Sequence, residues 1–185
     1  MSEFNRFFIA LLPPPDIQVQ VNAIKQHFSD RYDSRAALKS PPHITLQPPF
    51  KWLSANLPVL QQCLSTFANH RERVQVNLSG FAAFPPRVIY INVLKTQELL
   101  MLQTDLMAYL DVLDIVDPVS QSRPFSPHMT VAFRDLTRQN FKAAWPEFQQ
   151  QALQFEFRAN YLTLLLHDGK RWNVSDEFPF LSKPI

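Results

Sequence analysis

This chain is organised as one pattern written twice. The tetrapeptide Pro42-His43-Ile44-Thr45 returns as Pro127-His128-Met129-Thr130, with 85 residues from one histidine to the other, and the surroundings return with it. An apolar strand expected over residues 7–12 matches another over 88–94. A helical stripe at Ile17, Val21, Ile24 and Phe28 matches Leu99, Leu106 and Leu110, with Gln103 breaking the second stripe. After each tetrapeptide comes a second helical stripe, Leu60, Cys63, Leu64 and Phe67 in one half and Phe141, Ala144, Trp145 and Phe148 in the other. Then come alternating strands, Val74, Val76, Leu78 and Leu153, Phe155, Phe157. The offsets of these features stay between 79 and 85 residues. A repeat of that length makes each half a small supersecondary unit that buries its apolar face against the other.

The order in each half is strand, helix, motif strand, helix, long strand. Reversals are expected at Phe84-Pro85-Pro86-Arg87 and at His167-Asp168-Gly169-Lys170, leading to strands over 88–94 and 172–180. Pro146 is expected to interrupt or end the fourth helix early. The prediction is an α+β protein, a single domain over 1–185 with pseudo-symmetric halves at about 1–87 and 88–185. Two mainly antiparallel sheets related by a pseudo-twofold axis carry helices on the outside and a central groove lined by the motif strands.

In an extended strand a His and a Thr two residues apart share one face, about 6.6 Å from each other. Ile44 and Leu46, like Met129 and Val131, then point the other way into a core. Two such pairs facing one another offer two titratable nitrogens and two hydroxyl donors to a tetrahedral anion, for which a phosphoester is the natural candidate. Only two glycines are present, Gly80 and Gly169, too few for a phosphate-cradling P-loop, a dinucleotide-binding turn or a nucleophile elbow. A bound phosphate is therefore held by side chains. The single Cys63 forms no internal disulfide and belongs to a helical stripe, and two His-x-Thr pairs make a poor divalent-cation cage. No metal and no cofactor are expected. The apolar run near the start is too short for a signal peptide, no stretch approaches the length of a membrane span, and a cytoplasmic monomer is the expectation. A net charge of +2 points to contact with a polyanion only inside a cleft, as at an RNA end.

The two Pro-His-apolar-Thr-apolar strands, the two-lobed repeat and the stretch Pro86-Arg87-Val88-Ile89-Tyr90 together resemble the 2H phosphoesterase superfamily. The likeness is to its bacterial LigT-like branch, called 2′-5′ RNA ligase or RNA 2′,3′-cyclic phosphodiesterase, and covers nearly the whole chain. The resemblance implies a metal-independent phosphodiesterase with His43 as proton donor, His128 as proton acceptor, and Thr45 and Thr130 on the phosphate oxygens. It implies a role in RNA processing, acting on 2′,3′-cyclic phosphate ends to leave a 2′-phosphate, with reversible 2′-5′ ligation by the same groups. Two departures, the Pro48-Pro49 segment and the ending Ala132-Phe133-Arg134, bear on substrate choice.

Beyond the motifs, Arg123, Arg134 and Phe125 are candidates for substrate binding, with Arg87 and Lys51 as further cations and Phe133 and Trp172 as further stacking surfaces. Two other functions fit the same residues. One is a phosphodiesterase acting on a small nucleotide, a cyclic phosphate of ADP-ribose or a 2′-5′-linked oligoadenylate. The other is a noncatalytic RNA-binding module.

Overall fold

A computed structural model describes residues 3–115 and 123–181 of the 185. The expected α+β architecture is present. Eight strands are ordered in the chain as β1 Phe4–Leu11, β2 Ile44–Leu53, β3 Val74–Phe84, β4 Val88–Val93, β5 His128–Ala132, β6 Gln154–Ala159, β7 Tyr161–His167 and β8 Trp172–Pro179. The helices are α1 Pro15–Tyr32, α2 Leu57–Asn69, α3 Gln97–Asp111 and α4 Arg138–Phe148. Two four-stranded sheets run in the orders β2-β1-β7-β8 and β5-β4-β3-β6, and every pairing within them is antiparallel.

The sheets exchange strands between the two halves of the sequence. β3 leaves the first stretch to join β4, β5 and β6, while the last hairpin, β7 and β8, returns to complete the sheet begun by β1 and β2. The expected equivalence of the two alternating strands is corrected by this topology. β3 and β6 are hydrogen-bonded neighbours, with Val76 opposite Phe157, and by sheet position β3 corresponds to β7. Asn160 separates β6 from β7, a break that no glycine or proline marks in the sequence. Both expected reversals are hairpin turns, one joining β3 to β4 and the other β7 to β8.

Helix α1 starts at Pro15, whose fixed φ suits a first turn, and ends where Asp33 adopts the left-handed conformation and its amide N–H donates to the Phe28 carbonyl. Helices α3 and α4 are capped by Thr96 and Thr137, whose hydroxyls accept from the amides of Leu99 and Asn140. Pro146 does not stop α4, which runs on to Phe148. Its missing amide and ring disturb only the bond to the Lys142 carbonyl, and just two residues, Glu147 and Phe148, follow it in the helix. In α3 the stripe is Leu99, Leu102, Leu106 and Leu110; Leu102 takes the place that Gln103 left open. Cys63 is half-buried on α2. One continuous core joins all four helices to one face of each sheet. On the other face of the first sheet lies a smaller apolar layer of Phe8, Ala10 and Leu165, with Leu12 and Trp172 packed against it.

Strands β2 and β5 are the edges of their sheets and touch each other. An edge strand tolerates proline, and β2 passes through Pro48 and Pro49 by way of register shifts against β1. The two motifs thus open the two strands that face each other across the seam.

Candidate active site

His43 stands immediately before β2 and His128 is the first residue of β5. Each follows a proline, and each places Nδ1 2.7 Å from the carbonyl oxygen two residues earlier, that of Pro41 for His43 and that of Ser126 for His128. A carbonyl can only accept, so Nδ1 carries the hydrogen and donates it. Nε2 then holds the lone pair in the neutral ring and is the nitrogen left for chemistry. The same backbone device acts in both motifs.

Pairing fixes what lies beside each motif. Thr45 is opposite Ala10, and Ala10 is opposite Thr163, so the three form one row across the first sheet. Thr130 is opposite Tyr90, and His128 is opposite Asn92. The His43 ring lies 4.8 Å from that of Phe8, which meets Trp172 edge-on at 4.7 Å. His128 lies 5.2 Å from Tyr90 and 5.3 Å from Phe84. The His43 ring thus packs on Phe8, which Trp172 supports from behind, and the His128 ring packs on both Tyr90 and Phe84.

The residue His43 is half-buried, but its ring is withdrawn from water against Phe8, and this loss of hydration lowers its pKa to about 4. The hydrogen bond to Pro41 pushes the other way, while the positive charges of Lys25 and His128 depress it further. His128 is therefore within electrostatic range of His43. Burial raises the Tyr90 hydroxyl pKa. It also lowers Lys25, on α1, to about 7.

The remaining candidates are scattered over several elements. Arg123 and Phe125 line a cavity of about 470 Å³ with Lys95, Gln103, Thr104 and Met107, beside α3. Phe125 is partly buried against the main core. Arg134 follows β5 with a φ of 59° and sets its guanidinium 5.1 Å from the Phe133 ring centre. Trp172 has Arg6 over its ring at 5.5 Å. Lys51 is exposed on β2, opposite Arg6, and Arg87 is exposed in the β3–β4 turn.

Sequence reasoning missed Phe8, Asn92, Lys25 and Thr163. Only cross-strand register shows that Asn92 and Thr163 share rows with the motifs, and register depends on the strand exchange. Among the described residues no group of three or more His, Cys, Asp or Glu side chains gathers as a metal cage. No described helix is long and apolar enough to cross a membrane.

Comparison with known proteins gives consistent results. The model of the 2′-5′ RNA ligase superfamily matches residues 13–171. A protein of Oceanobacillus iheyensis, named as a candidate phosphoesterase, is 30% identical over 176 residues, covering 94% of this chain and 96% of its own. A similarly named protein of Bacillus cytotoxicus is 27% identical over 175 residues, 92% of this chain and 94% of the relative. Among solved structures, Escherichia coli LigT complexed with 3′-AMP superposes with a TM-score of 0.69 at 16% identity, covering 97% of this chain and all of the other. A Thermus thermophilus protein, TT0787, gives 0.67 at 18% identity over 97% of this chain and all of its own. At such identities the structural likeness speaks for the fold.

Proposed function

Because this chain belongs to the 2′-5′ RNA ligase superfamily, a family of phosphoesterases, we propose that it is a metal-independent phosphodiesterase that opens 2′,3′-cyclic phosphates at RNA ends. The observation that carries this reading is the repeated backbone bond. Both imidazoles commit Nδ1 to a carbonyl and keep Nε2 free, on two edge strands that touch. Two like nitrogens at one seam are what a reaction needs that removes one proton and delivers another.

In the proposed reaction neutral His128 takes a proton from water at Nε2 as the water oxygen bonds to phosphorus. The bond from phosphorus to the ribose 3′ oxygen breaks, and protonated His43 supplies that oxygen with a proton, leaving a 2′-phosphate. Thr45 and Thr130 hydroxyls donate to the nonbridging oxygens and stabilise charge as it develops. His43 is mostly neutral in the empty groove above pH 4 or so. The anionic substrate supplies the charge that raises it, so the acid is formed when it is needed. Run backwards, the same transfers bond the ribose 3′ oxygen to the 2′-phosphate and expel water. A ribose 5′ hydroxyl attacking the cyclic phosphate in place of water, with the 3′ oxygen leaving, gives a 2′-5′ bond; water at high concentration favours hydrolysis.

Phe84, exposed beside His128, suits a nucleoside, whose base has a face to stack on it. The complexes of Escherichia coli LigT with 3′-AMP, NADP+ and ATP support nucleotide binding in this fold. The test is turnover of nucleoside 2′,3′-cyclic monophosphates by the purified protein with chelator present. Wild type converts them to 2′-phosphates, while His43→Ala and His128→Ala each lose about 10² to 10⁴ in rate. Equal rates for all three proteins, or a strict need for added metal, would overturn it.

A further inference from the structure

The buried stripe of α1 is Ile17, Val21, Lys25 and Phe28. One of these four is a lysine, and it is 1% exposed. Ile24, the neighbour that periodicity alone would place in the core, is only partly buried. An ammonium in such a place loses its hydration and is strongly disfavoured unless a partner compensates. No carboxylate pairs with Lys25 among the described residues. Its hydrogen-bond acceptor is the Ser40 carbonyl oxygen, 2.9 Å from Nζ.

Ser40 begins the segment Ser40-Pro41-Pro42-His43, and the Pro41 carbonyl is the one that takes the His43 Nδ1 hydrogen. Two prolines in succession have fixed φ and restrict the residue before each, so the segment transmits a displacement instead of absorbing it. We infer that Lys25 is a positioning residue for the first motif: its buried Nζ holds Ser40 and, through the Pro41–Pro42 step, sets the direction of His43 Nε2. A leucine or methionine at this position would complete the apolar stripe and leave the loop untied. Lys25 from α1 and His128 from β5 are the charged groups whose fields bear on His43; the rings packed behind it, Phe8 and Trp172, carry no charge.

This inference rests on the catalytic role proposed for His43, but its first readout does not need turnover. The imidazole titrations are followed by nitrogen-detected magnetic resonance in the full chain, wild type against Lys25→Met. Loss of the cation and the tether should raise the His43 pKa toward the free value and move its Nδ1 signal, with the His128 signals unmoved. On a nucleoside 2′,3′-cyclic monophosphate the variant should lose about 10- to 100-fold in kcat with KM within about threefold of wild type. Should Lys25→Met not fold, Lys25→Gln, a neutral donor, still predicts a raised His43 pKa. An unchanged His43 titration, or His128 disturbed equally, overturns the inference. If wild type turns over no cyclic phosphate, the phosphodiesterase reading fails, while the His43 titration still decides whether Lys25 positions the ring.

Discussion

A histidine that gives one nitrogen to a backbone carbonyl is oriented at small cost, and its pKa then follows from what surrounds the other. For His43 the consequence for stability has a definite sign. In the unfolded chain it titrates near 6.5, about the free value, whereas in the folded protein it does so at about 4. Between those values the unfolded chain binds the extra proton, so this contribution to stability is complete above about pH 6.5 and is lost as pH falls toward 4. Urea unfolding at a series of pH values should show that loss in wild type and a flatter profile in His43→Gln. Binding has the opposite effect on the same ring. Inorganic phosphate should raise the His43 pKa, read from its proton resonances, and the shift should shrink when Thr45→Val removes a hydroxyl donor. The motif residues were legible because their spacing is a chemical statement in itself. Lys25 was not, since its helical position lies beside Ile24 in any periodic reading and only packing decides which of the two is turned inward.

Between elements, the most consequential connection is made by Asp135, just past β5. Its carboxylate accepts from the Ser34 hydroxyl at 2.9 Å and from the amides of Arg35 and Ala36 at 2.8 and 2.9 Å. Ser34 is fully buried, so its hydroxyl cannot cheaply exchange this partner for water, whereas the two amide bonds lie at the surface. Arg134 takes a left-handed backbone conformation where the chain turns to place that carboxylate. The loop after α1, which leads to the first motif, is thereby tied to the strand that carries the second. Asp135→Ala should cost about 2 to 4 kcal/mol, seen as a lower denaturant midpoint with an unchanged slope. Sequence periodicity found the four α-helices of the described residues and most of their strands, because the stripes at Leu60, Leu64 and Phe67 or at Phe141, Ala144 and Phe148 are locally encoded. It could not find the break at Asn160, where no glycine or proline marks the switch from one sheet to the other.

For the molecule as a whole, the exchange of strands means that neither sequence half owns a sheet. A chain cut between Arg87 and Val88 would leave β1 and β2 without β7 and β8, and β3 without β4 and β6. Fragments 1–87 and 88–185 are therefore expected to lack cooperative unfolding when made separately and to regain it when mixed, which circular dichroism against urea would show. Duplication of the motifs was plain from the sequence, and with it the two-sheet fold. The exchange was not, because pairing between β1 and β7 is a long-range choice that no local pattern records.

The same exchange sets a timetable for synthesis. As the chain leaves the ribosome, β1 acquires β2 early, but its other edge waits for Tyr161–His167, more than a hundred residues further along the chain. Until then the Phe8 and Ala10 face has no Leu165 and no Trp172 to complete its apolar layer, and an open strand edge is exposed in the nascent protein. The wall behind His43 is consequently finished last, so a truncated or stalled product would carry the first motif without the surroundings that tune its imidazole.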